Sequence, residues 1–330
     1  MRAIFRTKMK YLYVLVSNSK DYYSEQCFLS IYSLKLKTPN AFILLLVDNQ
    51  TAEYLKTEFQ ELIKSVDEFK EVELDSKYTN KEKSRILKTT MRQHINGDFL
   101  FIDCDTVICE DLSEIEKCEF DIGCVLDSHV PVAMHWGRNW MVKNYKKSGF
   151  YESIDKITHF NSGVIYCKDN SLTRKFFSDW VSLLQQSVKE KITIDQPSFN
   201  QADMLNGCLI KELPGKWNCQ LVQGGVKYLT EAKIIHYFAS QRNFRSPYLL
   251  ADKKILQYIK NFKTLSAECV AVLANPKQAI DETTALLSPD VPIEILFHQP
   301  FIELVYIHKH CQCLYKLLRG ISYIFGKFHK

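Results

Sequence analysis

The sequence predicts an α/β protein with a Rossmann-like, mostly parallel sheet flanked by helices, and three features carry this prediction. Short apolar runs typical of buried strands alternate with segments of helical spacing, in the order β-α-β-α-β-α-β. The fourth run ends in two aspartates, as expected where parallel strands meet a binding site. Towards the C-terminus helical patterns dominate. We therefore expect an α/β domain in residues 1–250 and a helical extension in residues 251–330.

Four strands are predicted in the first third of the chain. Residues 11–16 (YLYVLV) form the first apolar run, and residues 69–74 (FKEVEL) form a weaker third one. Residues 41–47 (AFILLLV) are apolar without interruption, which indicates a strand buried on both faces. The fourth run lies within residues 98–108 (DFLFIDCDTVI). Helical spacing of apolar residues predicts the connecting helices, at residues 22–36, 51–64 and 81–95.

After residue 121 the alternation loosens. Residues 122–126 and 162–167 are still typical of strands, and a helix is predicted over 171–188. Residues 127–160 are rich in aromatic side chains and lysine, which suggests a loop or lid. Three prolines between residues 275 and 292 indicate a linker.

Composition and charge exclude several classes of protein. With 46% hydrophobic and 25% charged residues, the chain is neither disordered nor fibrous. The net charge of +5 comes from the two basic ends, whereas a nucleic-acid-binding protein would more often carry its basic stripe on the folded body. Eleven cysteines without a CxxC pair indicate reduced thiols in the cytoplasm. We see neither a secretory signal nor an apolar run that could span a bilayer.

The Asp103-Cys104-Asp105 sequence is the clearest candidate for chemistry. On an extended chain the two carboxylates point to the same side, where they could hold one hard divalent cation. The alternative is a solvated strand end, because this tripeptide pattern also occurs by chance.

Together with its surroundings, this tripeptide resembles glycosyltransferase family 8, which includes glycogenin and bacterial lipopolysaccharide galactosyl- and glucosyltransferases. The resemblance spans about residues 11–245, and its further motifs are SRILK (84–88), FNSGV (160–164), Asp195-Gln196 and IHY (235–237). It implies a GT-A fold, a UDP-sugar donor, a Mn²⁺ or Mg²⁺ ion, and retention of anomeric configuration. It also implies a glycan or a lipid-linked saccharide as the acceptor.

The resemblance assigns roles residue by residue. The implied metal ligands are Asp103, Asp105 and His236. The implied nucleotide-binding residues are Ser17, Asn18, Arg85, Cys104 and Arg242. The implied donor-sugar residues are Asn161, Ser162, Asp195 and Gln196, of which Asp195 and Gln196 are the catalytic candidates. Gln196 corresponds to the residue nearest the face where a retaining nucleophile is expected.

The late family motif departs from its usual form here. Ala239 stands where the family has glycine, so the backbone approaches phosphate less easily. Arg242 keeps a cation six residues after His236, where the family lysine contacts the diphosphate. The segment SNSKDYY after the first strand also lacks the usual acidic pattern.

Two further segments leave their roles open. The aromatic side chains of residues 127–160 either line the acceptor site or pack within a lid; they are His135, Trp136, Trp140 and Tyr145. Near the C-terminus an apolar stripe lies roughly opposite several lysines; it consists of Leu304, Ile307, Cys311, Leu314, Leu318, Ile321 and Phe325. This amphipathic pattern in residues 301–330 fits a helix on an anionic membrane surface, a helix docked on the protein core, or a dimer seam.

The sequence thus predicts a cytoplasmic, metal-dependent hexosyltransferase, either free or peripheral on the inner face of the membrane. We expect it to act in bacterial surface polysaccharide synthesis and not to bind nucleic acid. One alternative is a sugar-nucleotide nucleotidyltransferase, although the first strand lacks the glycine-rich loop that would hold a triphosphate. The other is a membrane-recruited scaffold that retains an inactive transferase domain.

Overall fold

A computed structural model describes residues 9–135, 137–150, 158–221, 223–237, 248–279 and 299–328. Its centre is a seven-stranded sheet with the order β3-β2-β1-β4-β7-β6-β8. The strands are Lys10–Leu15 (β1), Phe42–Asp48 (β2), Glu68–Val72 (β3), Phe99–Ile102 (β4), Ile122–Cys124 (β6), Val164–Cys167 (β7) and Ile210–Glu212 (β8).

Most of the strand pairs are parallel, which confirms the predicted fold class. β1 pairs in parallel with β2 and β4, so that Lys10 lies opposite both Phe42 and Phe99. β7 is the exception, because it runs antiparallel to β4 and β6. The carboxyl ends of β1, β2 and β4 therefore meet at one edge of the sheet, where ligands bind in folds of this kind.

A second, three-stranded sheet has the order β5-β10-β9 and consists of Thr106–Ile108 (β5), Cys219–Gln220 (β9) and Ile234–His236 (β10). β5 begins directly after Asp105 and pairs antiparallel with β10. In this register Thr106 lies opposite His236. The pairing therefore brings a histidine from late in the sequence next to the aspartates.

Helices cover both faces of the main sheet. Tyr11, Tyr13 and Leu15 point into one part of the hydrophobic core, which also holds Leu29 and Leu34 of the first helix. Alternate residues of the same strands point into the opposite cluster, around Trp180. The helices are Tyr23–Lys37 (α1), Asn49–Glu58 (α2), Gln60–Lys64 (α3), Asn80–His94 (α4), Arg138–Lys147 (α5), Ser171–Lys189 (α6), Gln196–Leu205 (α7), Lys253–Phe262 (α8), Ala267–Ala274 (α9), Gln299–His310 (α10) and Gln312–Phe328 (α11).

Two elements differ from the prediction. The helix expected over 51–64 is broken at Phe59, whose φ of −147° is not helical and whose buried ring packs 5.2 Å from that of Phe28. The segment expected to be a loop or lid contains α5, a helix that buries Met141 and Tyr145 on one face. The two buried residues are four positions apart, as expected for one helix face, but the many lysines around them hide this pattern in the sequence.

The C-terminal part of the chain has two different regions. Helices α8 and α9 contribute Ile259 and Leu273 to the part of the hydrophobic core that also holds residues of the first strand. The predicted amphipathic segment forms two helices, α10 and α11, separated at Cys311. None of the helices in the described residues is long and apolar enough to cross a membrane. The division at residue 250 stays a prediction.

Candidate active site

Asp103, Asp105 and His236 form a compact cluster at the carboxyl edge of the sheet. The aspartates lie between β4 and β5, and His236 is the last residue of β10. One ligand atom from each residue lies within 4.8 Å of the others, and His236 Nε2 is 3.2 Å from Asp105 Oδ1. This group, called the acidic cluster below, matches the three residues expected to bind metal.

Hydrogen bonds behind the acidic cluster set the protonation of His236. Gly163 N–H and Asn218 Nδ2 both donate to Asn161 Oδ1, each over 2.9 Å. The oxygen of the Asn218 amide therefore faces His236 Nδ1 at 3.1 Å, and this nitrogen must carry the proton. His236 Nε2 is then the nitrogen that contacts Asp105 Oδ1 and that would coordinate a cation bound there. Two carboxylates and an imidazole whose other nitrogen is held by an amide oxygen form a ligand set that fits a divalent metal.

The electrostatics of the two aspartates differ. Burial raises the pKa of Asp103, and the neighbouring Asp105 charge adds to that rise against the opposing effect of Lys88. Burial acts in the same direction on Asp105, but the charge and hydrogen bond of His236 outweigh it and lower its pKa. The site thus holds closely spaced negative charge that a cation would neutralise.

A second set of charges surrounds Asp195, just before α7. Arg85 Nε lies 3.0 Å from Asp195 Oδ1, and Ser162 Oγ donates to Asp195 Oδ2 over 3.1 Å. Lys88 Nζ lies 3.3 Å from Asp103 Oδ2 and 3.5 Å from Asp195 Oδ2, so it joins the two sets of charges. Burial would raise the pKa of Asp195, but Arg85 and Lys88 hold it well below its usual range.

Gln196 is the first residue of α7 and points towards a third group of residues. Its Nε2 lies 3.0 Å from Nε2 of the buried His159. Next to His159, the Asp127 carboxylate accepts hydrogen bonds from His135 Nε2 and Asn161 Nδ2, both over 2.8 Å. We call Asp127, His135, His159 and Asn161 the buried cluster.

The predicted nucleotide-binding residues stand in several environments. Ser17 Oγ donates to Asp21 and also contacts Ser24 Oγ at 2.6 Å, so its hydroxyl is engaged within the protein. Asn18 Oδ1 accepts from the backbone N–H of Lys20. Cys104 Sγ lies 3.5 Å from the Val14 carbonyl oxygen. Arg242 lies outside the described residues.

The aromatic residues proposed for the acceptor site differ in their exposure to solvent. Tyr145 and His135 are buried, and each forms hydrogen bonds inside the protein. Trp140 is 43% exposed on α5, so it remains available to a ligand. Trp136 lies outside the described residues.

Three residues of the site have no predicted role in the sequence, namely Asp127, His159 and Asn218. Their contacts, such as Asn161–Asp127 and Asn161–Asn218, depend on tertiary packing, so no local spacing could reveal them. His159 precedes the FNSGV motif directly, and this proximity was the one signal available for it.

Comparisons with known proteins agree with this geometry. The bifunctional glycosyltransferase WbbM shares the fold over 83% of this chain and 53% of its own, with 14% identity and a TM-score of 0.52. The galactosyltransferase LgtC, solved with donor and acceptor sugar analogues, matches over 80% of this chain and 99% of its own, with 12% identity and a TM-score of 0.51. No curated protein sequence matches significantly. These structural similarities confirm the GT-A fold.

The sequence family gives the more specific result. The model of "Glycosyl transferase family 8" matches residues 14–242, which include the acidic cluster, Asp195, Gln196 and the buried cluster. This match covers more than half of the chain and confirms the resemblance drawn from its motifs. The protein belongs to glycosyl transferase family 8 and is a glycosyltransferase.

Proposed function

We propose that the protein transfers a hexose of the glucose or galactose type from a UDP-sugar to a glycan or lipid-linked acceptor, with retention of configuration. The observation that carries this proposal is the acidic cluster, in which one ligand atom each from Asp103, Asp105 and His236 lies within 4.8 Å of the others. Two carboxylates and an imidazole suit Mn²⁺ well, whereas Mg²⁺ more often binds oxygen ligands alone. A cation bound there would neutralise the negative charge that develops on the departing UDP.

The ion pairs around Asp195 support a role in holding the donor sugar. Arg85 and Lys88 keep the carboxylate ionised, so that both of its oxygens can only accept hydrogen bonds. Sugar hydroxyls are donors that such a carboxylate would orient. Ser162 lies beside it and is the second donor-sugar residue in this proposal.

Gln196 is the proposed catalytic residue. An amide oxygen is the negative end of a dipole, so it can stabilise the positive charge that develops at the anomeric carbon without forming a covalent bond. Its half-buried position at the start of α7, directly after Asp195, places it next to the proposed sugar pocket. LgtC has an active-site glutamine whose replacement by glutamate has been solved.

We also propose that α10 and α11 bind an anionic membrane surface from the cytoplasmic side. Leu317 and Ile324 are 60% and 57% exposed on one face of α11, with Arg319 on the opposite side and Lys316 at the flank of that face. Sedimentation with vesicles tests this contact. We expect binding to phosphatidylglycerol vesicles that Leu317→Glu weakens; equal sedimentation with zwitterionic vesicles would contradict the role of charge.

A lipid-linked acceptor at that surface would suit an enzyme of bacterial surface polysaccharide synthesis. The reaction itself is tested by UDP release from a panel of UDP-sugars, with Mn²⁺, Mg²⁺ or EDTA, because many transferases hydrolyse their donors slowly without an acceptor. We expect metal-dependent release from one sugar. Absence of both UDP release and UDP binding would contradict the proposal and favour an inactive scaffold.

A further inference from the structure

His159 occupies a position that the family resemblance assigns to no role. The residue is 4% exposed, and its ring contacts side chains of α5 and of the start of α7. Nε2 of the ring is 3.0 Å from Gln196 Nε2, and Nδ1 is 2.8 Å from the Tyr145 hydroxyl. Both ring nitrogens are therefore within hydrogen-bond distance of a polar side chain.

The chemistry of these partners fixes the state of the ring. An amide nitrogen only donates, so His159 Nε2 must accept and carries no proton. The proton then sits on Nδ1, which is the nearer of the two ring nitrogens to the Tyr145 oxygen, at 2.8 Å against 3.4 Å for Nε2. Burial lowers the pKa of His159 to about 4, which keeps the ring neutral at neutral pH.

The neutral ring also has a suitable electrostatic environment. Asp127 Oδ2 lies 3.7 Å from His159 Nε2, and the ring of His135 lies edge-on with its centre 5.7 Å away. Asp127 already accepts from His135 and Asn161, so its charge is largely compensated. His159 can consequently remain an acceptor towards Gln196.

This contact holds the Gln196 amide in the orientation that it has in the structure. With its nitrogen held by His159, the amide oxygen faces the other way. Among the described residues, Gln196 Oε1 has no hydrogen-bond partner. Because an amide that rotates by half a turn exchanges oxygen for nitrogen, an unheld Gln196 would present either atom to the sugar.

We propose that His159 is a positioning residue that holds the Gln196 amide with its oxygen towards the donor sugar. This inference rests on the proposed function, in which that oxygen stabilises the anomeric centre. A side chain at position 159 that fills the space without accepting a hydrogen bond would leave the amide free to rotate. The effect would appear in kcat, while donor binding would change little.

A double-mutant cycle tests the inference, with metal-dependent UDP release from the cognate UDP-sugar as the assay. We expect His159→Phe to lower kcat about 10-fold with little change in the donor KM, as for the loss of one oriented catalytic group. In a Gln196→Ala background the same substitution should have almost no further effect. His159→Gln, which can again offer an accepting oxygen, should recover most of the rate.

The possible outcomes separate the inference from the proposed function. If His159→Phe lowers kcat equally in both backgrounds, His159 only packs and the inference is wrong, while the transferase remains. If no UDP-sugar is turned over by the wild type, the proposed function and the inference both fail.

A second measurement does not depend on turnover. ¹⁵N spectra of histidine-labelled wild-type protein report which ring nitrogen carries the proton, and the His159 signal is assigned by its loss in His159→Gln. We expect a neutral ring protonated on Nδ1. A ring protonated on Nε2 could not accept from Gln196 and would overturn the inference.

Discussion

The two clusters of the site are built from the same residue types but are balanced differently. In the acidic cluster, Asp103 and Asp105 lie together, and burial with mutual repulsion raises the pKa of Asp103. In the buried cluster a single carboxylate, Asp127, accepts from His135 and Asn161. Burial would raise its pKa, but the hydrogen bond and charge of His135 hold it well below the usual range.

This difference gives the two clusters separate roles, the acidic cluster in cation binding and the buried cluster in support of the fold. The buried cluster satisfies its own charge with protein donors, so it is complete as folded. In the acidic cluster Lys88 is shared with Asp195 and the pKa of Asp103 stays raised, so the cluster is suited to receive a cation. Asn161 and Asn218 connect the two, because one amide chain links Asp127 to His236.

The largest expected effect comes from Asp103→Asn in the acidic cluster. We expect UDP release to fall about 1,000-fold, since metal coordination supplies several kcal/mol of stabilisation to the departing diphosphate. The free energy of unfolding without metal should not decrease, because burial and the neighbouring Asp105 charge raise the pKa of Asp103 and both disfavour its charged form. Turnover and urea unfolding measure the two effects. A clear loss of stability would contradict this account of the cluster.

Substitution of the connecting amide should have an intermediate effect. Asn218→Ala removes the acceptor for His236 Nδ1, and we expect Mn²⁺ affinity to fall about 10- to 100-fold. Asn218→Asp keeps an acceptor for His236 Nδ1 but loses the donor to Asn161, so it separates the two contacts of the amide. Calorimetric titration with Mn²⁺ measures both variants, and equal affinity in the alanine variant and the wild type would exclude this role for Asn218.

In the buried cluster we expect Asp127→Asn to lower the free energy of unfolding by about 2 kcal/mol. The amide offers one oxygen to two donors, so its nitrogen must face either His135 or Asn161. Asp75→Asn, at an exposed ion pair, is the control and should change stability little. An Asp127→Asn protein as stable as the control would show that the cluster does not support the fold.

The sequence predicted that the residues of the acidic cluster come together, but it did not predict the assembly of the buried cluster. The aspartates are neighbours on one strand end, and the alternation of strands and helices fixes where that strand end lies. The buried cluster assembles from residues 127, 135, 159 and 161, in a segment whose helix α5 was expected to be a loop. Its contacts depend on how α5 packs, which the periodicity of one segment does not reveal.

Other differences have similar causes. Phe59 interrupts a helix because tertiary packing against Phe28 outweighs local helical preference. The pairing of β5 with β10 joins residues more than a hundred positions apart, so only the family resemblance could bring His236 to the aspartates. Ser17 fitted the family position, but its hydroxyl bonds to Asp21, a contact that the sequence does not show.

The last prediction concerns the pH dependence of stability. Burial lowers the pKa of His159 and of His129 from 6.5 to about 4. The unfolded chain thus binds protons that the folded chain does not, so stability is fully present above pH 6.5 and decreases as the pH falls towards 4. Urea unfolding across this range should show a shallower slope for His159→Gln, by about one proton. An unchanged slope would indicate that folded His159 is protonated.

The central claim is that the acidic cluster binds the cation and the buried cluster does not. Calorimetric titration of Mn²⁺ in the presence of UDP tests it most directly, with wild type, Asp105→Asn and Asp127→Asn compared. We predict one bound Mn²⁺ in the wild type, affinity at least about 100-fold weaker in Asp105→Asn, and nearly unchanged affinity in Asp127→Asn. Equal Mn²⁺ affinity in the wild type and Asp105→Asn, or its loss in Asp127→Asn alone, would contradict the claim.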